Sequence, residues 1–224
     1  MIKAVVTDIE GTTSSLSFVK DLLFPYARAH LPDFVRSRAE QADIKALLES
    51  AAETAGIAFS LEAVIDQLLL WIDEDAKVTP LKSLQGLIWE DGYHKGDFNG
   101  HLYPDAAENL KKWHGQGFAL YVYSSGSVRA QKLLFAHTEY GDMTPLFSGY
   151  FDTHIGGKRE AASYAAIADS IGFPVSEIMF LSDIKEELDA ARAIGFGTVW
   201  LNRDSPLDAA AEHPQVASFD AIAF

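Results

Sequence analysis

Asp8 and Glu10 stand two residues apart where the apolar run IKAVVT (2–7) stops and the turn-forming Gly11, Thr12 and Thr13 begin. Two carboxylates at the end of a buried strand are costly unless a cation or a hydrogen-bonding partner offsets them. Two other apolar runs end in a similar way, LYVYSS at Ser124 and Ser125 and MFLSD at Asp183. Lys158 follows a weaker run near Phe151, within GGKRE, just ahead of a helical pattern. Asp8, Glu10 and Asp183 offer hard oxygen ligands that suit Mg²⁺ rather than a transition metal. Ser124, Lys158 and the start of the helix after SSGS offer donors and positive potential, which suit phosphate oxygens. An aspartate can attack phosphorus to form an aspartyl-phosphate, and an acid two residues on can protonate the leaving group and then activate water.

Taken singly, each residue has an ordinary explanation. An Asp after a strand usually turns the chain or caps a helix, paired serines are common turn formers, and a lone lysine is usually solvated. Four polar endings in order on one side of a sheet are what carry the reading. Glu187, one turn past Asp183, has two readings: it holds a metal-bound water, or it orients Lys158. Glu186 and Asp189 beside it read as solvated helix positions.

Such residues meet only if strands bring their ends together. Five β-rich runs are visible: IKAVVT, FALYVYS (118–124), a weaker one near GYFDTHI (149–155), EIMFLS (177–182) and GTVWLN (197–202). Helical patterns at 104–116, 126–137, 159–171 and 184–194 separate the later ones, which predicts an α/β fold with a Rossmann-like parallel sheet. The strands lack polar alternation, as expected when helices cover both faces. Ligands of such sheets bind outside the carboxyl ends of the strands. The paired glycines 156 and 157 would let the chain pass close to a ligand.

Residues 16–100 break the alternation with four helical patterns, so a helical domain interrupts an α/β core made of 1–15 and 101–224. Ser60 reads as the N-cap of one of these helices, and Pro80 suits the first turn of the next. Trp71 and Trp89 read as core residues.

The composition removes several alternatives. A net charge of −14 argues against nucleic-acid partners and against anionic membranes. The absence of cysteine rules out disulfides, thiolate catalysis and Cys-ligated zinc. No apolar run reaches the roughly 18 residues of a membrane span, and no secretory signal is visible, so the expected location is the cytoplasm. The seven histidines show no ligand spacing. Neither a GxSxG elbow nor a phosphate-binding loop with the long G-x-x-x-x-G-K spacing is present.

DIEGT, YVYSS, GGK and LSD, in that order, resemble the four motifs of the haloacid-dehalogenase-like superfamily, and the helical insertion resembles its cap. The superfamily pattern has Asp where this chain has Glu10. The longer stretches DIEGTT, LQGLIWEDGY, YVYSSGSVRAQKLLF and FDTHIGGKREAASY look like the enolase-phosphatase family of methionine salvage. That resemblance implies a monomeric enzyme with one Mg²⁺ per subunit. Its implied substrate is a small phosphorylated diketone, 2,3-diketo-5-methylthiopentyl-1-phosphate, which it enolises and then dephosphorylates to acireductone. By the same resemblance Asp8, Glu10 and Asp183 surround the metal, and Ser124, Ser125 and Lys158 contact the substrate. Asp8, Glu10 and Lys158 carry the catalysis. WEDGYHKGDF (89–98) is the expected wall for the methylthio end. The alternative is a phosphatase of the same fold acting on another small phosphorylated metabolite.

Overall fold

In the computed structural model, which describes residues 1–224, the five apolar runs become strands β1 (Ala4–Thr7), β2 (Ala119–Tyr123), β3 (Phe147–Phe151), β4 (Ile178–Ser182) and β5 (Gly197–Leu201). A sixth strand, β6 (Gln215–Val216), is too short to announce itself as an apolar run. All neighbours pair in parallel, in the order β3-β2-β1-β4-β5-β6. The chain leaves the central β1 toward β2 and β3 and then returns to its other side as β4. A reversal of this kind opens a crevice at the carboxyl ends of the strands.

The register sets what faces that crevice. Thr7 is level with Val122 of β2 and Leu181 of β4. One residue further along each strand come Asp8, Tyr123 and Ser182, and the next step on the two flanking strands reaches Ser124 and Asp183.

The chain forms eight α-helices, of which the last four accompany the sheet: α1 (Phe24–Arg38), α2 (Ala42–Ala55), α3 (Leu61–Asp73), α4 (Thr79–Lys95), α5 (Pro104–Gly115), α6 (Val128–Ala136), α7 (Ala161–Ile171) and α8 (Lys185–Ala193). Ala4, Val6, Ile178 and Phe180 pack with Tyr164 and Ile167 of α7 and Leu188 and Ala191 of α8. Val5 and Leu181 have the opposite parity and are equally buried, so the other face of the sheet is covered as well. The weak run expected at 149–155 is displaced, because β3 ends at Phe151. Asp152 stops it by accepting hydrogen bonds from the backbone N–H groups of His154 (3.0 Å) and Val128 (3.1 Å), which turns the chain.

The chain divides into two compact units, Met1–Leu16 with Asn99–Phe224, and Ser17–Phe98. The second unit is all helical. It opens with a π-helical stretch, Phe18–Leu23, that runs directly into α1. Its core is its own: Leu31 and Val35 of α1, Ile44 and Leu48 of α2, Ile65 and Leu68 of α3, and Leu84 and Ile88 of α4. Trp71 and Trp89 pack against this core, and the Trp89 indole N–H donates to the Leu23 carbonyl at 2.8 Å. Ser60 occupies the N-cap position of α3 in extended backbone, but its side chain makes no capping bond. Tyr93 and Phe98, from the stretch expected to form a substrate wall, are buried against each other with ring centroids 4.6 Å apart. No helix is long and apolar enough to cross a membrane.

Leu48 is fully buried at the centre of this helical core. Leu48→Ala should therefore cost about 2–5 kcal/mol, transfer and cavity terms together, read as a lowered urea midpoint of the helical signal. An unchanged midpoint would mean that α2 does not help hold this unit together.

Candidate active site

Asp8 extends β1 by one residue, its N–H donating to the Leu181 carbonyl at 2.9 Å, and its side chain is buried. The turn after it is tight because the Ile9 carbonyl accepts from the N–H groups of Thr12, Thr13 and Ser14 at 3.2, 2.9 and 2.8 Å. The Thr13 hydroxyl donates back to the Asp8 carbonyl at 3.1 Å. Arg203 holds the loop from outside, donating from Nε to the Thr12 carbonyl at 2.9 Å while Nη1 meets Asp105 at 3.1 Å. Glu10 is carried on this loop and lines the same cavity as Asp8.

Lys158 reaches Asp8 Oδ1 at 2.7 Å and Glu187 Oε2 at 2.8 Å, with its side chain only 10 % exposed. Glu187 is steadied by the Ser182 hydroxyl, which donates to Oε2 at 2.9 Å. Of the two readings of Glu187, the geometry is that of a residue orienting Lys158. Burial alone would lower the lysine pKa, yet the two carboxylates beside it carry it above its ordinary value. Burial, and then the Asp8 charge, raise the Glu187 carboxyl, while Lys158 opposes that rise.

Asp183 follows β4 immediately and lines the cavity with Asp8 and Glu10. Burial, reinforced by the Asp8 charge, pushes its carboxyl up to about 7. Gly11 explains how Asp183 fits so close to the first loop. Its φ is +74°, and a Cβ there would collide with Asp183 Oδ2. Gly11→Ala should lower stability by about 1–3 kcal/mol through backbone strain and displacement of Asp183, measured as a urea midpoint shift. A variant as stable as the parent would show that the two loops are not interlocked.

Ser124 is buried and Ser125 exposed, and both line the cavity. Two N–H groups at the start of α6 have partners within the protein, since Asp152 accepts from Val128 N–H and the Ser127 hydroxyl accepts from Ala130 N–H at 3.3 Å. One expectation about the phosphate cradle needs correction, that of the paired glycines. The paired glycines face the protein rather than a ligand. A Cβ at Gly156 would strike Ser163 Oγ, and one at Gly157 would lie 2.9 Å from Glu160 Oε1.

The cavity has a volume of about 130 Å³, lined by Asp8, Glu10, Ser124, Ser125, Lys158, Asp183 and Glu187, with Leu16 and Ile184 as its apolar members. Ligand pockets for whole drug-sized molecules run to about 300–1,000 Å³, so this one suits a reacting head group such as a phosphate. All six residues expected from the sequence therefore line one space. Leu16, Ile184, Ser182 and Arg203 were not expected. Of these only Ser182, adjacent to Asp183 and ending a run, carried a sequence signal.

A model of the haloacid dehalogenase-like hydrolase family matches residues 2–195. Enolase-phosphatase E1 of Methylococcus capsulatus is 60% identical over 223 residues, covering 99% of this chain and 98% of that one. Enolase-phosphatase E1 of Thioalkalivibrio sulfidiphilus is 56% identical over 222 residues, covering 99% of each. The chain belongs to the enolase-phosphatase E1 family. The crystal structure of the Unknown transcript 4 protein of Saccharomyces cerevisiae superposes with a TM-score of 0.85 at 32% identity, covering 99% of this chain and 100% of that one.

As an enolase-phosphatase E1 family member the chain is an enzyme of the hydrolase class. Whether its residues suit the Mg²⁺ such a phosphatase implies is a question of donor chemistry. Four carboxylates and one ammonium line the cavity, and burial, reinforced by the Asp8 charge, raises the Asp183 carboxyl. No three acidic or histidine side chains converge as a complete metal cage. Mg²⁺ does not require one, because it keeps several waters and binds through one or two carboxylates plus substrate phosphate. The donor set fits.

Proposed function

We propose that this enolase-phosphatase family member enolises 2,3-diketo-5-methylthiopentyl-1-phosphate and then hydrolyses its phosphate, releasing acireductone for methionine salvage. We assign it one Mg²⁺ per subunit, a monomeric state, a cytoplasmic location and, for the helical unit, the role of a cap. The observation that carries the reading is the Asp8–Lys158 contact at the mouth of β1, a nucleophile and a phosphate-binding cation held side by side.

Asp8 engages Lys158 through Oδ1, which leaves Oδ2 to attack phosphorus. Lys158, kept charged by its two carboxylates, stabilises the equatorial oxygens as the bond to the leaving oxygen breaks, the main demand of phosphoryl transfer. Ser124 and Ser125 donate hydroxyls to the same group. Asp8, Glu10 and Asp183 would hold Mg²⁺, which when bound offsets the negative charge of the carboxylates and the phosphate. Glu10 has a proton to move in one of two places. It protonates the leaving oxygen and later takes a proton from water, or it takes the proton from carbon beside the diketone carbonyl. Its extra methylene relative to Asp gives its carboxylate a different reach from the same backbone position.

Glu10→Asp separates those roles while keeping the charge. If reach to carbon matters, formation of the enediol should fall about tenfold or more while hydrolysis of a simple phosphomonoester stays within about threefold of the parent. Equal losses in the two assays would assign Glu10 to phosphoryl transfer alone. The reading as a whole is tested by phosphate release from a panel of phosphorylated metabolites, with and without Mg²⁺. The diketone phosphate should be turned over fastest and only with Mg²⁺. Faster turnover of a sugar phosphate or of phosphoglycolate would move the enzyme to that substrate.

A further inference from the structure

The loop carrying Lys158 hangs from three side-chain hydroxyls. Tyr123 Oη donates to the Gly156 carbonyl at 2.9 Å, Ser163 Oγ to the Gly157 carbonyl at 2.8 Å, and Tyr164 Oη to the Lys158 carbonyl at 2.7 Å. Three consecutive carbonyls are thus each met by a donor from β2 or α7. All three donors are buried, at 0 %, 1 % and 0 % exposure respectively.

Packing alone does not call for these hydroxyls. Tyr123 and Tyr164 sit in the cluster between the sheet and helices α7 and α8, among Ile167, Ile178, Phe180, Leu188 and Phe196. Phenylalanine would fill the same space, and a buried phenol is favourable only with a partner for its O–H. The two rings meet edge to face at 5.5 Å, and the Tyr123 ring centroid lies 5.8 Å from Lys158 Nζ. Gly156 completes the arrangement, because at φ +138° it leaves open the space that Ser163 Oγ fills. Burial raises the pKa of both phenols, so they remain donors at any working pH.

We propose that Tyr123, Ser163 and Tyr164 are positioning residues for Lys158, fixing its backbone through three successive carbonyls so that Nζ stays beside Asp8. None of the three lines the reaction cavity, so they act through the lysine and not on the substrate. The proposal rests on the reading of Lys158 as the phosphate-binding cation.

Tyr164→Phe removes one oxygen and keeps the ring. In the Mg²⁺-loaded full chain, its kcat/KM for a simple phosphomonoester should fall about tenfold, since small displacements of a catalytic group are costly. In a Lys158→Ala background the same change should alter kcat/KM by less than about twofold, because the residue it serves is gone. The urea midpoint should drop equally in both backgrounds. Binding of inorganic phosphate, followed by calorimetry, should weaken in parallel with kcat/KM. Tyr123→Phe and Ser163→Ala carry the same test should Tyr164→Phe fold poorly. A lowered midpoint with parental kcat/KM would make the hydroxyls merely structural and overturn the proposal, as would losses that multiply in the double variant. Parental kinetics for Lys158→Ala itself would instead show that the reading of Lys158 fails, and the proposal with it.

Discussion

Asp8→Asn should abolish phosphate release, lowering kcat by at least about a thousandfold, because the amide cannot form the aspartyl-phosphate. The fold should survive. Asp8 is one of four carboxylates facing a single ammonium, and its charge helps raise the carboxyl pKa values of both Asp183 and Glu187. Asparagine is nearly isosteric and removes that repulsion, while Lys158 keeps its bond to Glu187 at 2.8 Å. Substrate should still bind, so a substrate-depletion assay and a urea titration together separate lost chemistry from lost structure. Turnover within tenfold of the parent would exclude Asp8 as the nucleophile.

Lys158→Ala should damage both stability and activity. In the folded chain Asp8 and Glu187 each place an oxygen within 2.8 Å of the same nitrogen. Removing that nitrogen leaves two buried carboxylates facing each other, and breaking a buried ion pair from one side costs about 3–5 kcal/mol. Loss of a charge-assisted contact to phosphate should cost at least about 1.5–3 kcal/mol more in kcat/KM, with KM raised and kcat lowered. Added Mg²⁺ should restore part of the stability by offsetting the exposed charge. A variant with parental kinetics and parental stability would reduce Lys158 to an ordinary lysine.

The positions of Asp8, Ser124 and Asp183 were legible because each follows an apolar run, and parallel strands in register bring such endings level. The four helical patterns of the inserted unit were legible for a similar reason, since each buries a stripe of its own. What spacing does not encode is the partner of a residue across the fold. Lys158 and Glu187 are 29 residues apart, and nothing in that spacing announces that the two side chains meet. The same holds for Arg203 on the Thr12 carbonyl and for the hydroxyls beneath the Lys158 loop. The glycines of GGK were misjudged because a missing Cβ says that something approaches closely, not whether it is ligand or protein. β3 was displaced because Asp152, read as part of a strand, ends it by turning the chain.

The most direct measurement follows two signals in one reaction of the unaltered enzyme with 2,3-diketo-5-methylthiopentyl-1-phosphate, the enediol absorbance and free phosphate, with Mg²⁺ present or chelated. With Mg²⁺, both should rise in equal amounts, and with chelator neither should. Phosphate released without any enediol would contradict the account, leaving a phosphatase with no enolase activity at this site.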